Sequence, residues 1–211
     1  MLLLRDDRLD ERRRIAAGPL APLADSLAAD LAPLIGREIY LPPEKALLSR
    51  AGGRCDRDGA TLEFDPFSPH DHRCPHCGTV HKGDLHHRAW VYPYQLWLAE
   101  RAVHSALLCA LRGDERFGTL ARSILHRYAG AYLSYPNRDN VLGPARLFFS
   151  TYLESIWLLQ ICIATDLLES AADHAIADDV RERIVRPAAA LIAEYDEGLS
   201  NRQVWNNVAL M

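Results

Sequence analysis

Apolar residues recur every three to four positions over most of this chain, and each such run predicts a helix. Leu20, Leu23, Leu27, Leu31 and Leu34 set the first clear stripe, over about residues 19–35, and Gly36 closes it. Pro42-Pro43 then breaks the chain, with a short helical turn expected over 44–48. After Pro93, a second stripe carries Leu96, Ala99, Val103, Ala106, Leu107, Ala110 and Leu111, and ends at Gly113. Asp114 is placed to cap the next helix, whose inner face holds Phe117, Leu120, Ala121, Ile124, Leu125 and Tyr128. Gly143-Pro144 predicts the start of a further helix over roughly 145–169, apolar nearly all round and so buried on most sides. Another is expected over about 175–195, bent near Pro187, and the last begins near Asn201. Helix follows antiparallel helix with short links and no βα alternation, so the expected fold class is all-α.

One stretch departs from this pattern. From Ser49 to about Trp90 the helical period is lost, Gly, Pro, Asp and His dominate, and only Thr61-Leu62-Glu63-Phe64 looks strand-like. So long a segment needs its own organising element. It contains Cys74-Pro75-His76-Cys77-Gly78, a Cys-x-x-Cys-Gly knuckle, and Cys55-Asp56-Arg57-Asp58-Gly59, the same outline with Asp58 where a second Cys would stand. Two such knuckles separated by about 15–20 residues are the signature of zinc ribbons. Cys55, Asp58, Cys74 and Cys77 would close a tetrahedral structural zinc site with no position open for catalysis. His70, His72 and His81 compete for the fourth place, and Asp58 leads because it alone keeps the knuckle spacing. The expected zinc-knuckle insertion spans 52–88. His86 and His87, two adjacent histidines expected on its closing loop, receive no role.

Composition narrows the classes. Apolar residues make up 49% of the 211, enough for a core, and the net charge of −4 gives no electrostatic reason to expect nucleic acid. Cys109 and Cys162 lie in apolar helical stretches and read as buried thiols, so no disulfide framework is expected. Met1-Leu2-Leu3-Leu4 turns at once to a charged run through Arg14, which is too short and too charged for a signal peptide. No apolar run was expected to reach a membrane span. The expectations are therefore no nucleic-acid partner, no membrane, and cytoplasmic placement, or periplasmic if the N-terminus is incomplete. Oligomeric state is open.

The polar residues within the apolar helices carry the candidate chemistry. Arg146, Ser150, Glu154 and Trp157 are spaced to share one face of the expected 145–169 helix. An acid with an arginine on a bundle's inner face is a candidate binding surface, or else an internal ion pair. Asn201-Arg202-Gln203-Val204-Trp205-Asn206-Asn207 packs four amides and an arginine around one aromatic, a composition suited to stacking on a sugar and bonding its polar groups.

Together, Tyr135-Pro136-Asn137, the run Gly143 to Trp157 and the run Ser200 to Asn207 resemble the N-terminal half of the catalytic domain of the heparinase II/III-like and alginate-lyase-like polysaccharide lyases. The resemblance covers about Leu48 to Met211 and implies an incomplete (α/α) toroid. It also implies β-elimination on an acidic, uronic-acid-containing polysaccharide or oligosaccharide. There the proton at C5 leaves only once the uronate carboxylate is neutralised by hydrogen bonding. Asn206 matches the family's carboxylate-neutralising asparagine, and Asn207 stands where some members have His. Arg146, Tyr152, Glu154, Trp205 and Asn207 are carried over as substrate-site candidates. The family's catalytic Tyr and a further His fall beyond Met211, so the chain reads as a truncated N-terminal portion, 1–211, expected to be inactive by itself. Two other classes remain open: a non-catalytic helical carbohydrate-binding or protein-interaction module with a structural zinc, and a glycoside hydrolase on a similar toroid, which would need two carboxylates.

Overall fold

The structure is a computed structural model and describes residues 6–169 and 174–211. The described residues are mostly helical, in agreement with the all-α expectation. The elements run α1 (Asp6–Ala17), α2 (Ala21–Leu31), β1 (His72–Arg73), β2 (Val80–His81), α3 (Asp84–Arg112), α4 (Glu115–Ala131), α5 (Thr151–Glu169), α6 (His174–Val180), α7 (Arg186–Ala193) and α8 (Asn201–Ala209). The chain divides into two compact units, the first being Met1–Leu41, Leu98–Leu133 and Trp157–Ala190, the second Pro42–Trp97, Ser134–Ile156 and Leu191–Met211.

In the first unit the apolar stripes do what their spacing requires. Gly113, at φ 65°, stops α3, and Asp114 accepts the Arg116 N–H to cap α4. Phe117, Leu120, Ala121, Ile124, Leu125 and Tyr128 of α4 are all buried, as predicted. Trp157 of α5 is fully buried, stacked on Tyr132 at 5.3 Å and edge-on to Tyr128 at 5.1 Å. The helical run continues through Pro187, and a π turn over Arg181–Val185, in which Arg186 N–H bonds back to Arg181 O, lies just before it.

In the second unit three expectations fail at helix starts. Residues 44–48 form no helical turn; Lys45 and Ala46 are buried in extended chain, with Ala46 N–H bonded to Leu147 O at 3.0 Å. α3 begins at Asp84 and passes straight through Pro93. The missing Pro93 N–H costs about 3 kcal/mol, which burial of Trp90, Val91, Tyr94 and Leu98 around it offsets. His86 and His87 therefore lie buried on the first turns of α3, not on a loop, and residues 84–88 belong to that helix.

α5 begins at Thr151, not near Ala145, so Arg146 and Ser150 do not share a helix face with Glu154. Residues 141–150 fold on themselves instead. Val141 and Leu142 N–H both reach Phe149 O, and Thr151 N–H bonds Leu142 O at 2.9 Å. Gly143 makes this possible: its φ is 78°, and a Cβ there would sit 2.3 Å from Thr151 Oγ1 and 2.5 Å from the Tyr195 ring.

α5 is long and apolar enough to cross a membrane by length and composition, contrary to the expectation that no run would be. In this fold it is a core helix, with 61% of the apolar window buried in protein.

Candidate metal centre and the Asn206 cluster

The two knuckles fold alike because their sequences make the same demands. In the first, Cys55 N–H bonds Ala60 O at 2.8 Å and Gly59 N–H bonds Cys55 O at 2.9 Å. In the second, Cys74 N–H bonds Thr79 O at 2.9 Å and Gly78 N–H bonds Cys74 O at 3.0 Å. Gly59 and Gly78 turn the chain at φ 73° and 70°, a conformation that L side chains resist. Within each turn an amide points at the leading sulfur, Arg57 N–H to Cys55 Sγ at 3.4 Å and Cys77 N–H to Cys74 Sγ at 3.5 Å. The β1–β2 ladder, which pairs His72 with His81 and Arg73 with Val80, carries the second knuckle at its turn.

Cys55, Asp58, Cys74 and Cys77 converge, with their four ligand atoms all within 4.8 Å of one another, and could hold a metal ion. Cys55 Sγ and Cys77 Sγ are 3.6 Å apart, and Cys74 Sγ lies 3.5 Å from Asp58 Oδ2. A tetrahedral ion with ordinary zinc bond lengths would hold two sulfurs about 3.8 Å apart and a sulfur and an oxygen about 3.5 Å apart. These two separations match those of such a set. Asp58 occupies the fourth position. The Ala60 N–H first, and the Cys55 side chain next, hold its carboxyl down at about 2, so it is an anion ready to ligate. Burial pushes the Cys55 thiol up to about 11, a cost that a cation would remove by taking the thiolate.

The three histidines that competed for this place lie elsewhere. His70 is exposed, its ring 4.9 Å from that of His87. His72 is buried, Nε2 has no partner, and burial lowers its pKa to about 4. His81 stands behind the cluster, with Nε2 3.2 Å from Cys55 Sγ and Nδ1 3.3 Å from Asp56 Oδ2. His86 Nδ1 meets Gly52 O at 2.8 Å, and His87 lies between Pro69 O at 2.6 Å and Glu44 at 3.2 Å. Gly52 can approach α3 only because it lacks a side chain; a Cβ would stand 2.3 Å from Leu85 O.

The other candidates fall into two groups. Asn206 on α8 is fully buried, and its Oδ1 lies 2.8 Å from Ser155 Oγ on α5. The Ser155 Oγ also lies 2.9 Å from Thr151 O, so its single hydrogen is shared between two acceptors, and the Asn206 Nδ2 has no partner. Ser200 caps α8 by accepting the Gln203 N–H, so Asn206 is not needed as a cap. Glu154, also fully buried, accepts the Leu147 N–H at 3.1 Å. Arg146 is half-buried and donates to Tyr135 O at 2.8 Å. Tyr152 is half-buried on the first turn of α5. Trp205 and Asn207 are exposed on α8, with Asn207 Oδ1 accepting from Gln203 Nε2 at 2.8 Å. The structure thus joins Asn206 to α5 beside Glu154 and leaves Trp205 and Asn207 on the outside.

Lys45 escaped the sequence reading. Only 2% exposed, its ammonium donates to Arg138 O and Ala145 O, each at 2.6 Å, and to the Asn140 side chain. Burial lowers its pKa to about 8, against the raising influence of Glu154. One cation thereby gathers the loop that leads into α5.

Comparison with known proteins adds nothing to this geometry: no family model matches the chain, and no curated protein matches it.

Proposed function

We propose that the chain is the helical part, an incomplete (α/α) toroid, of a polysaccharide lyase acting on uronic-acid polymers, and that zinc is the ion held by Cys55, Asp58, Cys74 and Cys77. The observation that carries the lyase reading is the Asn206 amide, buried with its Nδ2 unpartnered. A buried donor without an acceptor costs about 1–3 kcal/mol, and a uronate carboxylate would supply that acceptor. In the proposed complex the Ser155 hydroxyl lies against the amide oxygen and the NH2 faces the ligand. The resemblance over Tyr135-Pro136-Asn137, Gly143 to Trp157 and Ser200 to Asn207 points to the same residue.

In the proposed reaction a base takes the C5 proton, the electron pair becomes the C4–C5 double bond, and the C4–oxygen bond breaks with a proton delivered to the leaving oxygen. Asn206 lowers the barrier by spreading the negative charge that builds on the carboxylate. Trp205, exposed beside it, would stack on a sugar ring. Base and acid are assigned to no residue of this chain. The hydrolase alternative is weakened because Glu154 is spent on the Leu147 amide. Zinc is favoured by the donor chemistry, three soft thiolates and a carboxylate in a closed tetrahedral set.

Calorimetric binding of uronate oligosaccharides, set against carboxyl-reduced versions of the same sugars, tests the reading. Uronates should bind, reduced sugars should bind far more weakly, and Asn206→Ala should weaken uronate binding about 10–100-fold, the worth of a charge-assisted hydrogen bond. Equal binding of both sugars, or no effect of Asn206→Ala in a variant with unchanged circular dichroism, would remove the proposal.

A further inference from the structure

Beside the cysteine cluster lies a second set of converging ligand atoms. Asp56, His81 and His86 each direct one donor to a common point, with all three atoms within 4.8 Å of one another. His81 Nδ1 is 3.3 Å and His86 Nε2 is 3.7 Å from Asp56 Oδ2. Both imidazoles are buried, with side chains 6% and 7% exposed, while Asp56 reaches them from the surface at 68%.

The tautomers decide what belongs between them. Gly52 O only accepts, so His86 Nδ1 at 2.8 Å must carry the hydrogen, and Nε2 presents a lone pair. His81 Nε2 faces Cys55 Sγ at 3.2 Å. Once that sulfur is a metal-bound thiolate it too can only accept, so the hydrogen sits on Nε2 and His81 Nδ1 presents a lone pair. This step rests on the zinc proposed at the cysteine cluster. With both imidazoles neutral, two lone pairs and a carboxylate oxygen face one another, and a metal ion takes the place of the proton that would otherwise sit between them. A cation is what such a set lacks.

We propose that Asp56, His81 and His86 bind a second divalent transition-metal ion, distinct from the one in the cysteine cluster. Tetrahedral ligands at ordinary zinc–nitrogen and zinc–oxygen lengths stand about 3.3 Å apart, which the His81–Asp56 distance already meets and the His86–Asp56 distance nearly meets. Each histidine bonds through its other nitrogen to a fixed acceptor, the outer-shell arrangement that orients imidazole ligands on metals. The set is two nitrogens and one oxygen, which suits zinc, cobalt, iron or nickel over magnesium or calcium. Three protein ligands would leave a position open, and of the three only Asp56 is exposed. That separates this site in kind from the closed cysteine cluster, since an open position admits water or an anionic ligand.

Cobalt(II) titration of the metal-stripped chain reads the two sites separately. The cysteine cluster gives an intense thiolate-to-metal charge-transfer band. The second site gives weaker ligand-field bands without it. Wild type should take up two ions per chain, and His86→Ala and Asp56→Asn should each take up one with the thiolate band intact. Asp56→Asn changes a surface side chain and so guards against a folding defect in His86→Ala. One ion in wild type that carries the thiolate band, or the same uptake in wild type and both variants, would overturn the second site. Loss of the thiolate band in wild type with a nitrogen-and-oxygen-bound ion still present would instead strike the cysteine-cluster reading alone.

Discussion

Replacing Gly143 by alanine should be among the most damaging single-methyl changes available in this chain. Two costs add. The residue sits at φ 78°, and holding an alanine in the left-handed region costs about 1–2 kcal/mol. The new Cβ would also stand 2.3 Å from Thr151 Oγ1 and 2.5 Å from two Tyr195 ring carbons, inside any tolerable contact. Overpacking of this sort costs about 1–3 kcal/mol more. Thr151 cannot simply retreat, because its hydroxyl is bonded to Pro144 O at 2.8 Å and its amide to Leu142 O. A total of about 2–5 kcal/mol should lower the thermal midpoint by roughly 5–15 °C in a chain of this size. Circular dichroism melts measure it. A double-mutant cycle isolates part of the cost: Tyr195→Ala in the Gly143→Ala background should remove the clash with the ring and leave the Thr151 clash and the backbone share. A Gly143→Ala midpoint within a degree or two of wild type would refute both the left-handed turn and the close approach to Tyr195.

Zinc content by mass spectrometry should fall in Cys74→Ser, and a strong chelator should lower the wild-type melting midpoint while leaving that of Cys74→Ser where it was. For Lys45 the sign follows from its lowered pKa. Between about pH 8 and 10.5 the unfolded chain holds a proton that the folded chain has lost, so stability from this group rises with pH across that window and is lost as pH falls through about 8. Urea denaturation of wild type and Lys45→Met should therefore show their difference moving in favour of wild type as pH is raised through the window, and a pH-independent difference would contradict it.

What the sequence could disclose depended on how local the causes were. The α4 stripe and its Asp114 cap are decided within a few residues of chain, and both were legible. The twin knuckles were legible too, since each closes on itself, and register alone picked Asp58 out from three nearby histidines. The start of α5 was not. Gly143-Pro144 has the look of a helix opening, but Lys45 and Ala46, about a hundred residues away, hold Ala145 and Leu147 in a different conformation. Lys45 itself, between Glu44 and a short apolar run, carries no local mark of burial. His86 and His87 looked solvated for a similar reason: their partners, Gly52, Pro69 and Glu44, all lie in segments with no regular pattern to place them.

The ammonium of Lys45 and the ion proposed for the knuckles do comparable jobs within one unit, each drawing oxygen or sulfur atoms of separate segments around a positive charge. They differ in supply. An ion taken from solution stabilises by mass action, and above its dissociation constant each tenfold fall in free concentration removes about 1.4 kcal/mol. Lys45 is tethered by its own backbone, so its concentration at the loop never changes and no chelator can strip it. With the proposed ion, the hairpins around Cys55 and Cys74 would answer to the metal content of the surroundings, while the loop entering α5 carries its cation with it below about pH 8.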